Sequence, residues 1–161
     1  MIINIKFWFF RHYWWILTVA FIGLGAYITT LHQGSDYRPI ATLLGTLVSV
    51  LFFLQRHRIE ETTLFRDIFS ECNKRYDEMN DALNAIVGEP EDKPLTKTQR
   101  DILYDYFNLC GEEYLYYAQG YIFPAVWKAW QNGMKHFLRH KRIATLWEAE
   151  KQTGSYYGLP L

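Results

Sequence analysis

The chain has 161 residues, an aromatic content of 18%, and 17 Lys plus Arg residues balanced by 17 Asp plus Glu residues. This length allows two membrane spans and one small domain, and the lack of net charge removes any electrostatic steering towards nucleic acid. We therefore expect no sequence-specific binding of nucleic acid. The many aromatic residues predict either aromatic packing or a recognition surface.

Two apolar stretches, residues 14–31 and 40–54, contain no charged side chain. At about 1.5 Å per residue, the first covers roughly 27 Å, close to the thickness of a bilayer core. The second is shorter, but basic side chains at its ends can extend to the interface. The pattern predicts a two-helix transmembrane hairpin within a membrane domain at residues 1–55, with a polar loop at residues 32–38.

The orientation follows from the basic residues that flank this hairpin. Four lie on the side of both termini: Lys6, Arg11, Arg56 and Arg58. The loop carries only Arg38, which Asp36 balances, so both termini are expected to be cytoplasmic and the chain to lie in a bacterial inner membrane. A cleaved signal peptide is the alternative, but no small-residue cleavage site follows the first span and a second span comes next.

Small residues recur at every fourth position of the second span, at Ala41, Gly45 and Ser49. They line one helical face and allow another helix to approach closely, either within the hairpin or in a second copy of the chain. This pattern predicts membrane helix packing and a homo-oligomer.

A long helix is predicted to follow, since residues 56–86 contain neither Gly nor Pro. Apolar residues repeat along it with heptad-like spacing: Phe65, Phe69, Cys72, Tyr76, Met79, Leu83 and Ile86. This seam is either the helix's contribution to the core of its own domain or a coiled coil for self-association. Cys72 and Cys110 are expected to be reduced core residues.

The remaining residues predict a small cytoplasmic helical bundle that, with the long helix, occupies residues 56–161. Gly88, Pro90 and Pro94 mark a loop, and Thr96 with Gln99 fits a capping box for a helix that continues to about residue 118. Two shorter helices are expected, one beginning near Pro124 and one at about 141–152. The sequence therefore predicts an all-α fold.

Five residues of this bundle are candidates for binding a partner: Glu112, Glu113, Trp127, Lys128 and Trp130. Glu112 and Glu113 are adjacent, so on a helix they point roughly 100° apart and cannot share one catalytic site. We expect one to be solvated and the other to pair with a basic residue such as Lys128. The two Trp side chains belong either to the core or to a ligand cage.

No catalytic, metal or cofactor site is predicted. His136 and His140 are one helical turn apart, but no further ligand accompanies them and neighbouring basic residues oppose a cation. The basic run 135–142 is expected to be solvated or to touch anionic lipid. No nucleophile–base pair is visible, so an enzyme is not expected.

Part of the chain resembles a family of small bacterial membrane proteins. The resemblance rests on Tyr106–Tyr117 (YFNLCGEEYLYY), Gly120–Ile122 (GYI), Val126–Trp130 (VWKAW) and Asn132–Met134 (NGM). It implies two spans followed by a helical cytoplasmic domain, an architecture similar to that of the two-transmembrane toxic effectors of certain anti-phage retrons. It implies no active site.

The sequence thus leads to two hypotheses. The first is a membrane-acting effector of a bacterial antiviral defence or toxin system, which disrupts the inner membrane when activated. Its cytoplasmic helices either hold it inactive through a protein or ribonucleoprotein inhibitor or assemble it when triggered. The second is a non-toxic membrane-anchored adaptor that recruits a cytoplasmic partner.

Overall fold

The computed structural model describes residues 2–31 and 38–161, without the side chains of 2–11, 13, 14, 16, 17, 31, 39 and 40. The described residues form five α-helices and no β-strand, so the predicted all-α class is confirmed. The helices are α1 (Ile2–Leu31), α2 (Arg38–Val87), α3 (Lys97–Ala118), α4 (Pro124–Phe137) and α5 (Lys141–Lys151). The predicted polar loop lies outside the described residues apart from Arg38.

Contacts divide the chain into two units, Met1–Glu60 and Glu61–Leu161, and α2 contributes to both. Across the residues described, no helix has both the length and the apolar character that crossing a membrane requires.

In unit 1, the more covered side of α2 is a stripe of leucines. Leu43, Leu47, Leu51 and Leu54 are half-buried. The small-residue face lies elsewhere on the helix, and Ala41, Gly45 and Ser49 are all exposed. A Cβ placed on Gly45 would meet nothing within 4 Å. Among the described residues, no other helix therefore lies close to Gly45. Packing of this face between copies of the chain stays a prediction.

The helix ends in unit 2 form where the sequence predicts them. Thr96 and Gln99 make both hydrogen bonds of a capping box at the start of α3, with N···O distances of 3.0 and 3.2 Å. Gly120 follows α3 with a φ of 79°, a backbone conformation that glycine adopts at little cost. Pro124 occupies the first turn of α4, where a missing N–H is harmless.

The seam of α2 faces the other helices of its own unit. Cys72, Leu83 and Ile86 are fully buried, while Phe65, Tyr76 and Met79 pack against the core at partial exposure. Phe69 is more exposed and stacks on Trp130 of α4, with ring centroids 5.8 Å apart. Buried residues of α3, α4 and α5 complete the core: Leu103, Tyr106, Phe107, Met134, Phe137, Ile143 and Trp147.

The basic run 135–142 is not uniformly solvated, because Arg142 is buried in unit 2. Its guanidinium donates to a Glu89 carboxylate oxygen at 2.9 Å, to the Gln99 side chain at 3.1 Å and to the Pro94 carbonyl at 3.3 Å. Hydrogen bonds from Lys93, Gln99 and Arg142 hold the pKa of Glu89 at about 2. Arg142 therefore ties the loop between α2 and α3 to the start of α5.

The chain after α5 packs back on α3. Tyr156 and Leu159 are buried, and the position where Gly111 would carry a Cβ lies 3.5 Å from the Tyr156 backbone. Gly154 and Gly158 have φ values of 70° and 75°, which allow the turns of this segment. These buried contacts depend on the position of α3, so the sequence of this segment alone does not predict them.

Candidate functional site

The two neighbouring acids of α3 lie in different surroundings. Glu112 is half-exposed and pairs with Arg75 of α2, which donates to both carboxylate oxygens, with Nη2 to Oε1 at 3.3 Å. Lys128, the partner proposed from the sequence, is exposed on α4. The basic partner from a neighbouring helix is therefore Arg75 of α2 and not Lys128 of α4.

Glu113 is buried, with 6% of its surface exposed. Burial raises its pKa to about 8, while Arg75 lowers it and Glu112 raises it. No residue in the described part of the chain donates a hydrogen bond to its carboxyl group. At neutral pH this acid is therefore mostly protonated. The expectation that one acid is solvated was wrong, because Glu113 is buried, whereas the other acid, Glu112, does pair with a basic residue of a neighbouring helix.

Glu113 faces a cavity of about 220 Å³ between α2, α3 and α4. The walls combine aromatic rings with polar groups and two small residues: Asn73, Tyr76, Tyr106, Glu113, Ala129, Trp130, Gly133 and Met134. Ala129 and Gly133 are exposed one turn apart on α4 and form the rim. An apolar pocket with a few convergent polar groups is the usual composition of a small-molecule site.

The aromatic walls are held in place by neighbouring rings. Trp130 is nearly parallel to Phe69, with 11° between the ring planes. Tyr76 and Tyr106 face each other across α2 and α3, with centroids 6.5 Å apart. Tyr106 also packs edge-on to Phe137 at 5.4 Å. These contacts fix the cavity walls before any ligand arrives, which lowers the entropic cost of binding.

Two thiols lie close to this cavity. Cys72 and Cys110 are free and buried, as predicted. Burial, followed by the nearby Glu113 carboxyl, raises the pKa of Cys72 to about 12 and that of Cys110 well above its ordinary value. Both are therefore thiols rather than thiolates at neutral pH, and they do not have the reactivity of a catalytic cysteine.

The other sequence candidates are placed as follows. Trp127 is buried, and its ring stacks on Tyr117 with centroids 5.1 Å apart. Trp130 is half-buried and belongs to the cavity wall. His136 and His140 are not on one helix, because α4 ends at Phe137 and His140 is the N-cap of α5. In the described part of the chain, no three His, Cys, Asp or Glu residues are grouped to hold a metal.

Sequence reasoning did not find Asn73, Arg75 or Arg142 as site or network residues. Arg75 lies three positions after Cys72 and four before Met79, so it borders the predicted apolar seam. A basic residue at the edge of a buried stripe is placed to meet an acid from the next helix. The cavity itself has no sequence motif, because it is formed by side chains from three helices.

No family model matches this chain, and no curated protein or solved structure is significantly similar to it.

Proposed function

We propose that this protein acts at a membrane. Unit 1 inserts as a helical hairpin, and unit 2 is a cytoplasmic domain that controls it. In this proposal the chain is a defence or toxin effector of a bacterial inner membrane, and it damages the bilayer when an inhibitor, either protein or ribonucleoprotein, releases it. The hairpin rests on the uncharged residues 14–31 and 40–54, which include positions whose side chains the structure does not describe.

The observation that carries the proposal is the exposed apolar surface of both helices in unit 1. Trp15, Val19 and Ile22 of α1 are each more than 60% exposed, as are Val48, Phe52 and Phe53 of α2. Water-soluble proteins rarely leave contiguous apolar patches larger than a few hundred Å² uncovered. A lipid environment removes this cost, because hydrocarbon tails replace water around the exposed side chains.

The hydroxyl groups of unit 1 support the same environment. Thr29 and Thr30 donate to backbone carbonyls one turn earlier, at 2.8 Å. Thr42, Thr46 and Ser49 do so in α2, at 2.9–3.0 Å. Polar groups inside a bilayer must find partners within the protein because no water is present. These hydroxyls already meet that condition within their own helices.

Expression of the full chain in bacteria, followed with a membrane-potential dye, tests the proposal. We expect the chain in the membrane fraction and a loss of potential as its level rises. The control variant Val19→Asp with Val48→Asp places one carboxylate in each apolar helix, and it should reduce both insertion and depolarisation, because a charge in the bilayer core is costly.

Two results would contradict the effector. A wild-type chain that stays in the soluble fraction would show that unit 1 does not insert. A chain that is fully membrane-bound at high level but leaves the potential unchanged would favour the membrane-anchored adaptor instead.

A further inference from the structure

We propose that the cavity between α2, α3 and α4 binds a primary alkylammonium ion, with the Glu113 carboxylate as its counter-ion and the surrounding aromatic rings as its walls. This inference concerns unit 2 alone and does not depend on the membrane role. It starts from a buried acid that faces an open volume and receives no hydrogen bond from any described residue.

The donor and acceptor chemistry of the cavity selects the ligand. A primary ammonium group offers three N–H donors and no acceptor. The lining residues whose side chains can accept a hydrogen bond are Glu113, Asn73, Tyr76 and Tyr106. An anionic ligand is not favoured, because Glu113 would repel it once ionised. Arg75, the nearby cation, already donates to both carboxylate oxygens of Glu112.

The apolar walls select an alkyl group behind the charge. Trp130 and the two tyrosines present aromatic rings, and Met134 adds a flexible thioether. Aromatic faces attract cations, and the attraction is stronger when the site excludes water. The volume of about 220 Å³ exceeds the roughly 30 Å³ that one water occupies in the liquid, so a short alkylamine fits.

The electrostatic surroundings of Glu113 make binding depend on pH. From α2 it is near Arg75, Cys72 and Tyr76, and from α3 it is near Glu112, Cys110 and Tyr106. The lining residues of α4 carry no titratable group. The Glu112 carboxylate compensates the positive charge of Arg75. The net charge near the cavity, and therefore its affinity for a cation, then depends on whether Glu113 is ionised.

Burial keeps Glu113 mostly protonated below its pKa of about 8. A cation needs the carboxylate form, so it must displace the proton. The affinity should therefore rise about tenfold per pH unit from pH 6 towards pH 8 and then level off, since one pKa unit corresponds to a factor of ten. Near pH 7 binding should release close to one proton.

The test is calorimetric titration of the purified full chain in detergent with n-butylammonium chloride. Titrations at pH 6, 7 and 8.5, in buffers of different ionisation enthalpy, give both the affinity and the protons released. n-Butanol is the matched ligand without charge, and it should bind at least tenfold more weakly at pH 8.5. Equal binding of the alcohol would overturn the proposal.

Three variants locate the site. Glu113→Gln is close in shape to the protonated acid, so it should fold at pH 7 but lose at least tenfold in affinity at pH 8.5, together with the pH dependence. Gly133→Leu adds a large side chain at a lining position where a Cβ meets nothing within 4 Å, so the chain should still fold and bind the ligand more weakly. Lys128→Ala, on the same helix but outside the lining, should bind as the wild type does.

The outcomes are distinct. Unchanged binding in Glu113→Gln, or an affinity that falls as pH rises, would overturn the proposal, because the carboxylate would not be the counter-ion. Repeating the titration in nanodiscs with and without phosphatidylethanolamine identifies the source of the ammonium group. Weaker binding of n-butylammonium in the presence of this lipid would support a lipid headgroup as the ligand. Equal binding with and without the lipid would support a soluble amine.

Discussion

Glu112 and Glu113 show how one residue step on a helix changes the chemistry of the same side chain. Neighbouring helical positions point roughly 100° apart, so one acid reaches the half-exposed Arg75 and the other enters the core. An ion pair at this exposure contributes about 0–1 kcal/mol. Burial has the larger effect, since it raises the pKa of Glu113 to about 8.

Glu113 should make the stability of unit 2 depend on pH. Its pKa rises from 4.5 to about 8 on folding, so between these values the folded chain keeps a proton that the unfolded chain has lost. Stability from this group is fully present below pH 4.5 and is lost as pH rises through 8. We expect Glu113→Gln to melt higher than wild type at pH 9, with a smaller difference at pH 5.

Thermal unfolding followed by circular dichroism at pH 5, 7 and 9 measures this effect. Glu148→Gln, at an exposed acid of α5, is the control and should follow the wild type at each pH. Parallel pH profiles of wild type and Glu113→Gln would show that the Glu113 carboxyl is solvated.

The buried thiols give a second prediction at this scale. Cys72 and Cys110 are 2% exposed, and their pKa values are raised, so both thiolate content and access are low. We expect neither to react with iodoacetamide at pH 8 in the folded protein, and both to react in denaturant. Mass spectrometry of the labelled chain measures this. Rapid labelling of either thiol in the native protein would contradict its buried position.

At the scale of elements, the two parts of α2 differ in what their apolar side chains contact. In unit 2 its seam packs on α3, α4 and α5, whereas in unit 1 its large side chains are mostly exposed. The loop after α2 is held by hydrogen bonds rather than by apolar contacts, since Arg142 links Glu89, Pro94 and Gln99.

The seam predicts a strong contrast between two leucines of α2. Leu83 is fully buried and Leu64 is 43% exposed. Leu83→Glu must bury a charge or take up a proton, which should cost several kcal/mol and reduce helicity. Leu64→Glu should change stability little. Circular dichroism and size-exclusion chromatography of the full chain compare them, and a folded Leu83→Glu that only changes oligomeric size would mean the seam is an interface.

The hydrogen bonds of Arg142 to the loop between α2 and α3 predict a loss of stability when this side chain is removed. Arg142→Ala removes a buried cation, takes one of three side-chain donors from Glu89 and removes the donor to the Pro94 carbonyl, so it should cost about 3 kcal/mol. Arg139→Ala, at an exposed position on the same basic run, should stay within about 0.5 kcal/mol of wild type. Denaturant unfolding measures both, and equal values would show that the Arg142 network adds nothing.

At the scale of the whole molecule, the two units differ in how their apolar residues are covered. Unit 2 encloses an aromatic core, in which Phe107, Trp147 and Tyr156 pack at centroid distances of 5.1–6.3 Å. Unit 1 leaves large apolar side chains exposed on both helices. This contrast is the basis for proposing that unit 1 contacts a membrane, and the cavity of unit 2 is the basis for proposing that it binds a ligand.

Oligomerisation through unit 1 is testable at Gly45. A side chain there meets nothing within 4 Å, so Gly45→Leu should leave the single chain intact. If copies associate through the small-residue face, the substitution should force their helices apart and reduce cross-linked oligomers in native membranes several-fold. Val50→Leu, roughly 140° around the same helix, is the control. Unchanged cross-linking in Gly45→Leu would show that this face contacts lipid.

The sequence alone determined the helical class, the loop before α3, the capping box and the end of α3 near residue 118. These features depend on periodicity, on backbone conformations restricted to a few residue types, and on hydrogen bonds between residues a few positions apart. Such interactions involve residues that are close together in the chain, so the sequence shows them directly.

Only the tertiary structure decided which residues meet across helices. It paired Glu112 with Arg75 rather than Lys128, buried Glu113 and Arg142, separated His136 from His140 by a helix end, and assembled the cavity from three helices. The physical reason is that each outcome depends on the relative rotation and spacing of packed helices. That arrangement is set by the summed packing of the core, and no short stretch of sequence contains it.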